Sequence, residues 1–125
     1  MRPLRVGVIG SRDVCNKSVV FSILKEHLNF GDVRVGVVHS GGARGVDSIT
    51  RVYCKENEIP HVMWKPYFML NKQAKFTQED FHIRDMQIID NSDIVLIIYD
   101  GHSSDTRVAY DYAVRKQKQI TEVIV

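Results

Sequence analysis

The sequence predicts an α/β fold built on a five-stranded parallel sheet, and three observations support this prediction. Short apolar, β-branched segments alternate along the chain with amphipathic segments of helical period. Strands that are separated by helices pair in parallel through right-handed crossovers. Residues 94–98, Ile-Val-Leu-Ile-Ile, form an unbroken apolar run, which is typical of a central strand covered on both faces.

Length and composition predict one domain, residues 1–125, with a real hydrophobic core. The chain is 44% hydrophobic and 26% charged, and its net charge of +2 is too small to indicate a nucleic-acid partner. Cys15 and Cys54 form no CxxC pair, and no His/Cys cluster has metal-ligand spacing, so neither a metal nor a cofactor is predicted. No segment has the length of a membrane span or the pattern of a signal peptide. We therefore expect a cytoplasmic protein without a membrane partner.

The predicted elements follow in a regular order, with one irregular stretch. The strands are predicted over Leu4–Ile9, Val33–His39, Ile59–Trp64, Asp93–Tyr99 and Ile120–Val125. Helices are predicted over Cys15–Leu28, Val46–Glu56 and Gln78–Asp90, and around a stripe formed by Val108, Ala109, Tyr112 and Ala113. Residues 65–78 show no clean period, so we predict a long loop with room for one helical turn.

The stretch from Val37 to Asp47 carries the strongest functional signal. An apolar strand end runs into Ser40-Gly41-Gly42-Ala43-Arg44-Gly45-Val46-Asp47, and a helix begins at once. Glycine lets the backbone approach a ligand closely, and a helix N-terminus favours an anion such as phosphate. An ordinary βα turn would also fit, but it does not need three glycines together with a serine, an arginine and an aspartate.

Two more loops of small polar residues follow the first and fourth strands, at 10–12 and at 100–106. The carboxyl ends of parallel strands share one sheet edge, so the three loops should meet at one site. Arg84 lies three residues after Phe81 and four before Ile88, on the apolar face of its helix, and there it needs an anionic partner. That partner is either a nearby acid or the phosphate or carboxylate of a ligand.

Familiar motifs are missing. The first strand is not followed by G-x-G-x-x-G, and the sequence has neither a Walker A motif nor a G-x-S-x-G elbow. The motifs that are present, namely Gly10-Ser11-Arg12, the Ser40 to Asp47 string, Arg84-x-Met86 and the Asp100 to Thr106 loop, together resemble the SLOG superfamily. That group includes bacterial DNA-processing proteins and Lonely-guy phosphoribohydrolases, and the closest likeness is to small stand-alone members of bacteria and phages.

The resemblance covers essentially the whole chain and implies a three-layer, Rossmann-like fold with strand order 3-2-1-4-5. It also implies sensing or sequestering of a nucleotide-derived molecule, such as a nucleoside phosphate, a cyclic nucleotide or an ADP-ribose derivative. The base or ribose would lie against the loop at 10–12, and Asp47 would cap its own loop or bind ribose. Arg84 would pair with the anionic group, and the loop at 100–106 would hold phosphate. The ligand-binding residues implied are Gly10, Ser11, Arg12, Ser40, Gly41, Gly42, Arg44, Gly45, Asp47, Arg84, Asp100, Gly101, Ser103, Ser104 and Thr106.

Departures from the superfamily pattern bear on catalysis. Asp105 stands where a glycine is usual, and a carboxylate there repels a phosphate. Residues 107–109, Arg-Val-Ala, occupy the positions where phosphoribohydrolases have a glutamate. The missing glutamate favours binding over catalysis. N-glycosidic hydrolysis of nucleoside monophosphates is therefore kept as the alternative function, with Arg84, Asp47 and Asp105 as its candidate catalytic residues.

Single-stranded DNA binding is a second alternative. It requires a basic groove with stacking aromatic side chains, and the chain offers a modest version in Lys65, Tyr67, Phe68, Lys72, Lys75 and Phe76. A loop that covers the site, or a dimer contact, is the more ordinary role for that segment. The apolar stretch Trp64–Leu70 also predicts a homo-oligomer, because exposed apolar patches tend to be interfaces.

Overall fold

The computed structural model describes residues 2–71, 75 and 77–125, without the side chain of Phe68. Its strands are β1 (Leu4–Gly10), β2 (Val35–Gly41), β3 (His61–Trp64), β4 (Ile94–Tyr99) and β5 (Gln119–Ile124). Its helices are α1 (Lys17–His27), α2 (Val46–Glu56), α3 (Tyr67–Leu70), α4 (Gln78–Asp90) and α5 (Ser104–Arg115). The strands pair in parallel in the order β3-β2-β1-β4-β5, so the predicted Rossmann-like sheet and its strand order are confirmed.

The sheet carries a hydrophobic core on each face, because alternate strand residues point to opposite sides. Leu96 and Ile98 of β4 pack with residues of α1 and α2, whereas Val95 and Ile97 pack with residues of α4 and α5. Every residue of β4 is buried, as the apolar run of residues 94–98 predicted. None of the helices in the described part of the chain is long and apolar enough to cross a membrane.

Two strands, β2 and β3, begin two residues later than the sequence predicted, and local backbone features explain both shifts. The N–H of Val33 donates to the Phe30 carbonyl at 3.3 Å, which holds Val33 in a turn before β2. Pro60 has no N–H to give to a sheet ladder, so β3 begins at His61. At its other end β2 extends to Gly41, which pairs with Trp64. Ser40 and Gly41 are therefore neighbouring strand residues, and their side-chain positions point to opposite faces of the sheet.

The irregular stretch after β3 contains one helical turn, α3, as the sequence allowed. Its Tyr67, Met69 and Leu70 are well exposed, which agrees with an apolar surface there. A homo-oligomer built on that surface stays a prediction. Lys72 and Phe76, two of the residues considered for DNA binding, lie outside the described residues, as does the side chain of Phe68.

Candidate functional site

A pocket of about 170 Å³ lies at the carboxyl ends of the strands, between the loops that follow β1, β2 and β4. This is the switch point of the strand order. The chain passes from β1 to β2 on one side of β1, whereas β4 lies on the other side of β1. Helix α4 contributes a further wall through Phe81, Arg84 and Asp85. The predicted binding residues that line the pocket are Gly10, Ser11, Arg12, Asp47, Arg84, Ser103 and Thr106, together with Asp105.

Gly45 brings the loop after β1 against the start of α2. Its φ of +77° is in the left-handed region, and a Cβ there would lie 2.5 Å from the carbonyl oxygens of Ser11 and Arg12. The next residue, Val46, donates its N–H to the same Ser11 carbonyl at 3.3 Å. Glycine at this position therefore fixes where Ser11 and Arg12 meet the helix.

The Ser11 side chain is a buried polar group without a protein partner. The residue is 3% exposed, and its hydroxyl is the one buried side-chain oxygen or nitrogen within residues 2–71, 75 and 77–125 that lacks a hydrogen bond. An unsatisfied buried hydroxyl costs about 1–3 kcal/mol. Because Ser11 lines the pocket, a bound ligand could remove that cost.

Arg84 is buried, at 5% exposure, and its guanidinium lines the pocket. Its Nε donates to Asp85 Oδ1 at 2.8 Å, and its Nη1 donates to the Trp64 carbonyl at 3.4 Å. A Cβ at Gly41 would collide with this guanidinium, so the glycine leaves the room in which Arg84 lies over β2. Of the two partners that the sequence left open, the nearby acid is present, and the same guanidinium also faces the pocket.

Four aspartates line the pocket, and one of them, Asp13, is exposed and lies 3.5 Å from Arg44. Burial raises the pKa of Asp47 to about 7 even though Arg84 opposes the shift, and burial also raises the pKa of Asp85. Asp105 behaves differently, because the hydrogen bond that His82 Nε2 donates to it at 3.0 Å lowers its pKa, with a further contribution from Gln78. The inner wall is thus acidic, and part of its charge depends on pH near neutrality.

A second depression, the outer groove, adjoins the pocket and has a volume of about 360 Å³. Its lining is cationic and apolar: Arg12, Gly42, Ala43, Arg44, Pro66, Met69, Phe81 and Arg84. The Arg12 guanidinium lies 4.6 Å from the centre of the Phe81 ring, within cation–π range. Among the described residues, the one ion-pair partner of Arg44 is Asp13 at 3.5 Å, and this exposed pair leaves Arg44 available to an anion.

Some predicted binding residues lie away from the pocket. Ser40 Oγ is 2.6 Å from His61 Nε2, on the sheet face opposite Arg84. The Asp100 carboxylate accepts the N–H of His102 at 2.8 Å, which closes the turn containing Gly101, and Ser104 is exposed on α5. A role in binding stays a prediction for four of these residues: Ser40, Asp100, Gly101 and Ser104.

Other residues at the site were not singled out from the sequence. His82 and Gln78 hold Asp105 from α4, and Phe81 stacks with Arg12 at the rim. Nothing in the spacing of the sequence signals these contacts, since they join residues of different elements. The sequence also did not indicate that Asp85, the residue after Arg84, lines the pocket.

The comparisons with known proteins concern the fold. No protein-family model matches the sequence, and no curated protein matches it at a significant level. DNA processing protein A from Streptococcus pneumoniae superposes with a TM-score of 0.74 at 16% identity, over 96% of this chain and 50% of that one. DNA processing protein A from Helicobacter pylori, which binds single-stranded DNA, gives 0.71 at 24% identity, over 96% of this chain and 65% of that one.

These likenesses show the fold. It is a Rossmann-like fold similar to that of DNA processing protein A, as the sequence resemblance implied. A UDP-N-acetylglucosamine 2-epimerase is less similar, with a TM-score of 0.52 at 17% identity over 98% of this chain and 33% of that one. The chain spans only 50% to 65% of the DNA processing proteins that it matches.

Proposed function

We propose that the pocket and the outer groove together bind one nucleotide unit. The observation that carries this proposal is the Ser11 hydroxyl, which is buried and unpartnered in a pocket at the switch point of the sheet. Ligands of open α/β sheets bind in that place. The combined size of the pocket and the groove suits a ligand with a base, a sugar and a phosphate.

The distribution of charge supports one orientation of the nucleotide. Four aspartates line the pocket against two arginines, Arg12 and Arg84, so carboxyl groups are in excess there and disfavour a phosphate. The outer groove is lined by three arginines and, among the described residues, by no carboxylate. We therefore assign the phosphate to the groove, and the sugar and base to the pocket and the Phe81 ring.

This orientation differs from the one that the superfamily resemblance implies, in which the loop after β4 holds phosphate. Ser103 Oγ already caps α5 by accepting the N–H of Thr106 at 3.3 Å, and it also accepts the Thr106 hydroxyl at 3.0 Å. Asp105 adds a carboxylate at the same helix end. That loop is better suited to neutral ligand groups than to a phosphate.

Single-stranded DNA is a second candidate source of the nucleotide. The H. pylori protein with the same fold binds it, and the Arg12–Phe81 pair combines the cation and the aromatic ring that such binding uses. The small net charge of the sequence argued against a nucleic-acid partner, whereas the structural likeness to a protein that binds single-stranded DNA favours one. Free mononucleotides and a DNA strand would present the same unit to the site.

Titration calorimetry with mononucleotides and with a single-stranded oligonucleotide tests the proposal. Both Arg12→Ala and Arg84→Ala should weaken binding, whereas Arg34→Ala, an exposed arginine at the opposite sheet edge, should leave it unchanged. A DNA ligand requires tighter binding of the strand than of its monomer, with affinity that falls steeply with salt. If neither ligand binds, or if Arg34→Ala has the same effect as Arg12→Ala, the proposal is wrong.

Hydrolysis is tested in the same samples. We expect the nucleotide to be recovered unchanged, because the glutamate of the phosphoribohydrolases is missing. Asp47 is the one feature that favours catalysis, since a carboxyl with a pKa of about 7 suits general acid chemistry. If the wild type releases free base and Asp47→Asn does not, the function is N-glycosidic cleavage and not binding.

A further inference from the structure

The pocket is lined by the buried Arg84 and by two neighbouring carboxyl groups, of which Asp47 is buried and Asp85 has a side chain that is 13% exposed. Arg84 donates directly to Asp85 at 2.8 Å. Within residues 2–71, 75 and 77–125, no ion pair joins Arg84 to Asp47, and the other arginine near Asp47 is Arg12 on the exposed rim. Asp47 is therefore the buried acid whose charge lacks a direct partner.

Asp47 also keeps hydrogen-bonding capacity that the fold does not use. A carboxylate offers about four acceptor positions. Asp47 accepts the Ala43 N–H at 3.3 Å on Oδ2, which is its one hydrogen bond from the part of the chain that the structure describes. The residue is 6% exposed, so bulk water has little access to the rest. Ser11, in the same pocket, likewise has an unused hydroxyl.

Unused acceptors on a buried acid call for hydrogen-bond donors on the ligand. We infer that Asp47 selects nucleotides that present two adjacent donors, either the ring N–H and 2-amino group of guanine or the 2′,3′-diol of a ribose. This inference rests on the proposed nucleotide binding and specifies its ligand class. A base edge that pairs an N–H with a carbonyl would instead set its carbonyl oxygen against the carboxylate.

Binding measured by calorimetry at pH 8, where the Asp47 carboxylate is charged, tests the inference. Guanosine monophosphate is compared with inosine monophosphate, which lacks the 2-amino group, and with deoxyguanosine monophosphate, which lacks the 2′-hydroxyl. Loss of a donor to a charged acceptor should weaken binding about tenfold or more. A loss with inosine identifies the base as the donor pair, and a loss with the deoxy compound identifies the sugar.

Two variants make the result specific to Asp47. In Asp47→Asn the preference should shrink to about twofold or less, because the amide offers one acceptor and carries no charge. The matched control is Asp111→Asn, the same chemical change at an exposed position on α5, and it should keep the preference of the wild type. Circular dichroism of both variants verifies that they are folded.

The outcomes separate this inference from the proposed function. Equal binding of all three nucleotides to the wild type, or an unchanged preference in Asp47→Asn, overturns the selectivity of Asp47 and leaves nucleotide binding standing. Failure of every nucleotide and of the oligonucleotide to bind the wild type overturns the proposed function, and the inference with it.

Discussion

Replacing Asp47 by asparagine should stabilise the protein at pH 8. Burial raises the pKa of Asp47 from 3.8 to about 7, so between these values the folded state holds a proton that the unfolded state has lost. Stability therefore falls as pH rises through this window and stays reduced above it. At about 1.4 kcal/mol per pH unit, the penalty at pH 8 is on the order of 4 kcal/mol. Asparagine has the same shape, keeps an acceptor for the Ala43 N–H and carries no charge to desolvate.

Urea denaturation of the wild type and of Asp47→Asn between pH 4 and pH 8 measures this penalty. The difference in the free energy of unfolding should be small at pH 4, grow toward pH 7 and then level off. His39 and His61, whose pKa values are lowered by burial, act equally in both proteins and cancel in the difference. A difference that does not depend on pH, or an Asp47→Asn variant that is less stable at pH 8, would refute the reasoning.

Asp93→Asn is a control variant whose expected change in the free energy of unfolding has the opposite sign. The hydrogen bond from the Arg5 side chain lowers the pKa of Asp93 to about 2, so this carboxylate stabilises the fold above pH 4 and loses that effect as pH falls toward 2. Asp93→Asn should therefore destabilise the protein throughout the range in which Asp47→Asn stabilises it. If both variants shift stability in the same direction, the assignment of buried and paired acids is wrong.

Three further substitutions separate the two sheet faces at the end of β2. Arg84→Ala leaves Asp85 unpaired and should cost about 3–5 kcal/mol in urea unfolding at pH 7; an unaffected midpoint would contradict this. Gly41→Ala displaces the Arg84 guanidinium and should reduce nucleotide affinity at least about tenfold, whereas wild-type affinity would contradict the close contact. Ser40→Ala should change nucleotide affinity by about twofold or less, because the Ser40 hydroxyl contacts His61 on the sheet face opposite Arg84. A larger loss would indicate that Ser40 contacts the ligand.

The sequence predicted the fold because the signals that define it are local. Period-2 and period-3.6 patterns identify strands and helices, and the spacing of Phe81, Arg84 and Ile88 correctly placed Arg84 on the buried face of α4. The faces of β2 were harder to predict. Whether Ser40 or Gly41 turns toward α4 depends on how far β2 continues beside β3, and that pairing joins residues distant in the chain.

The acidic character of the pocket was equally hidden in the sequence. Asp105 looked like a carboxylate at a phosphate loop, and the structure adds that His82, 23 residues earlier, holds it as an ionised group. Likewise the guanidinium of Arg84 already has an acid beside it in Asp85. Glycine-rich loops and arginines at a sheet edge predict an anion site, but only tertiary contacts reveal which part of the edge is cationic.

The two unusual groups of the pocket support a common explanation. A buried carboxyl with a raised pKa and a buried hydroxyl without a partner each destabilise the fold. Both face the same cavity, so a ligand that donates to Asp47 and bonds Ser11 would relieve both costs in one binding event. Such a ligand should therefore raise the free energy of unfolding of the wild type more than that of Asp47→Asn, in which one of the two costs is already gone.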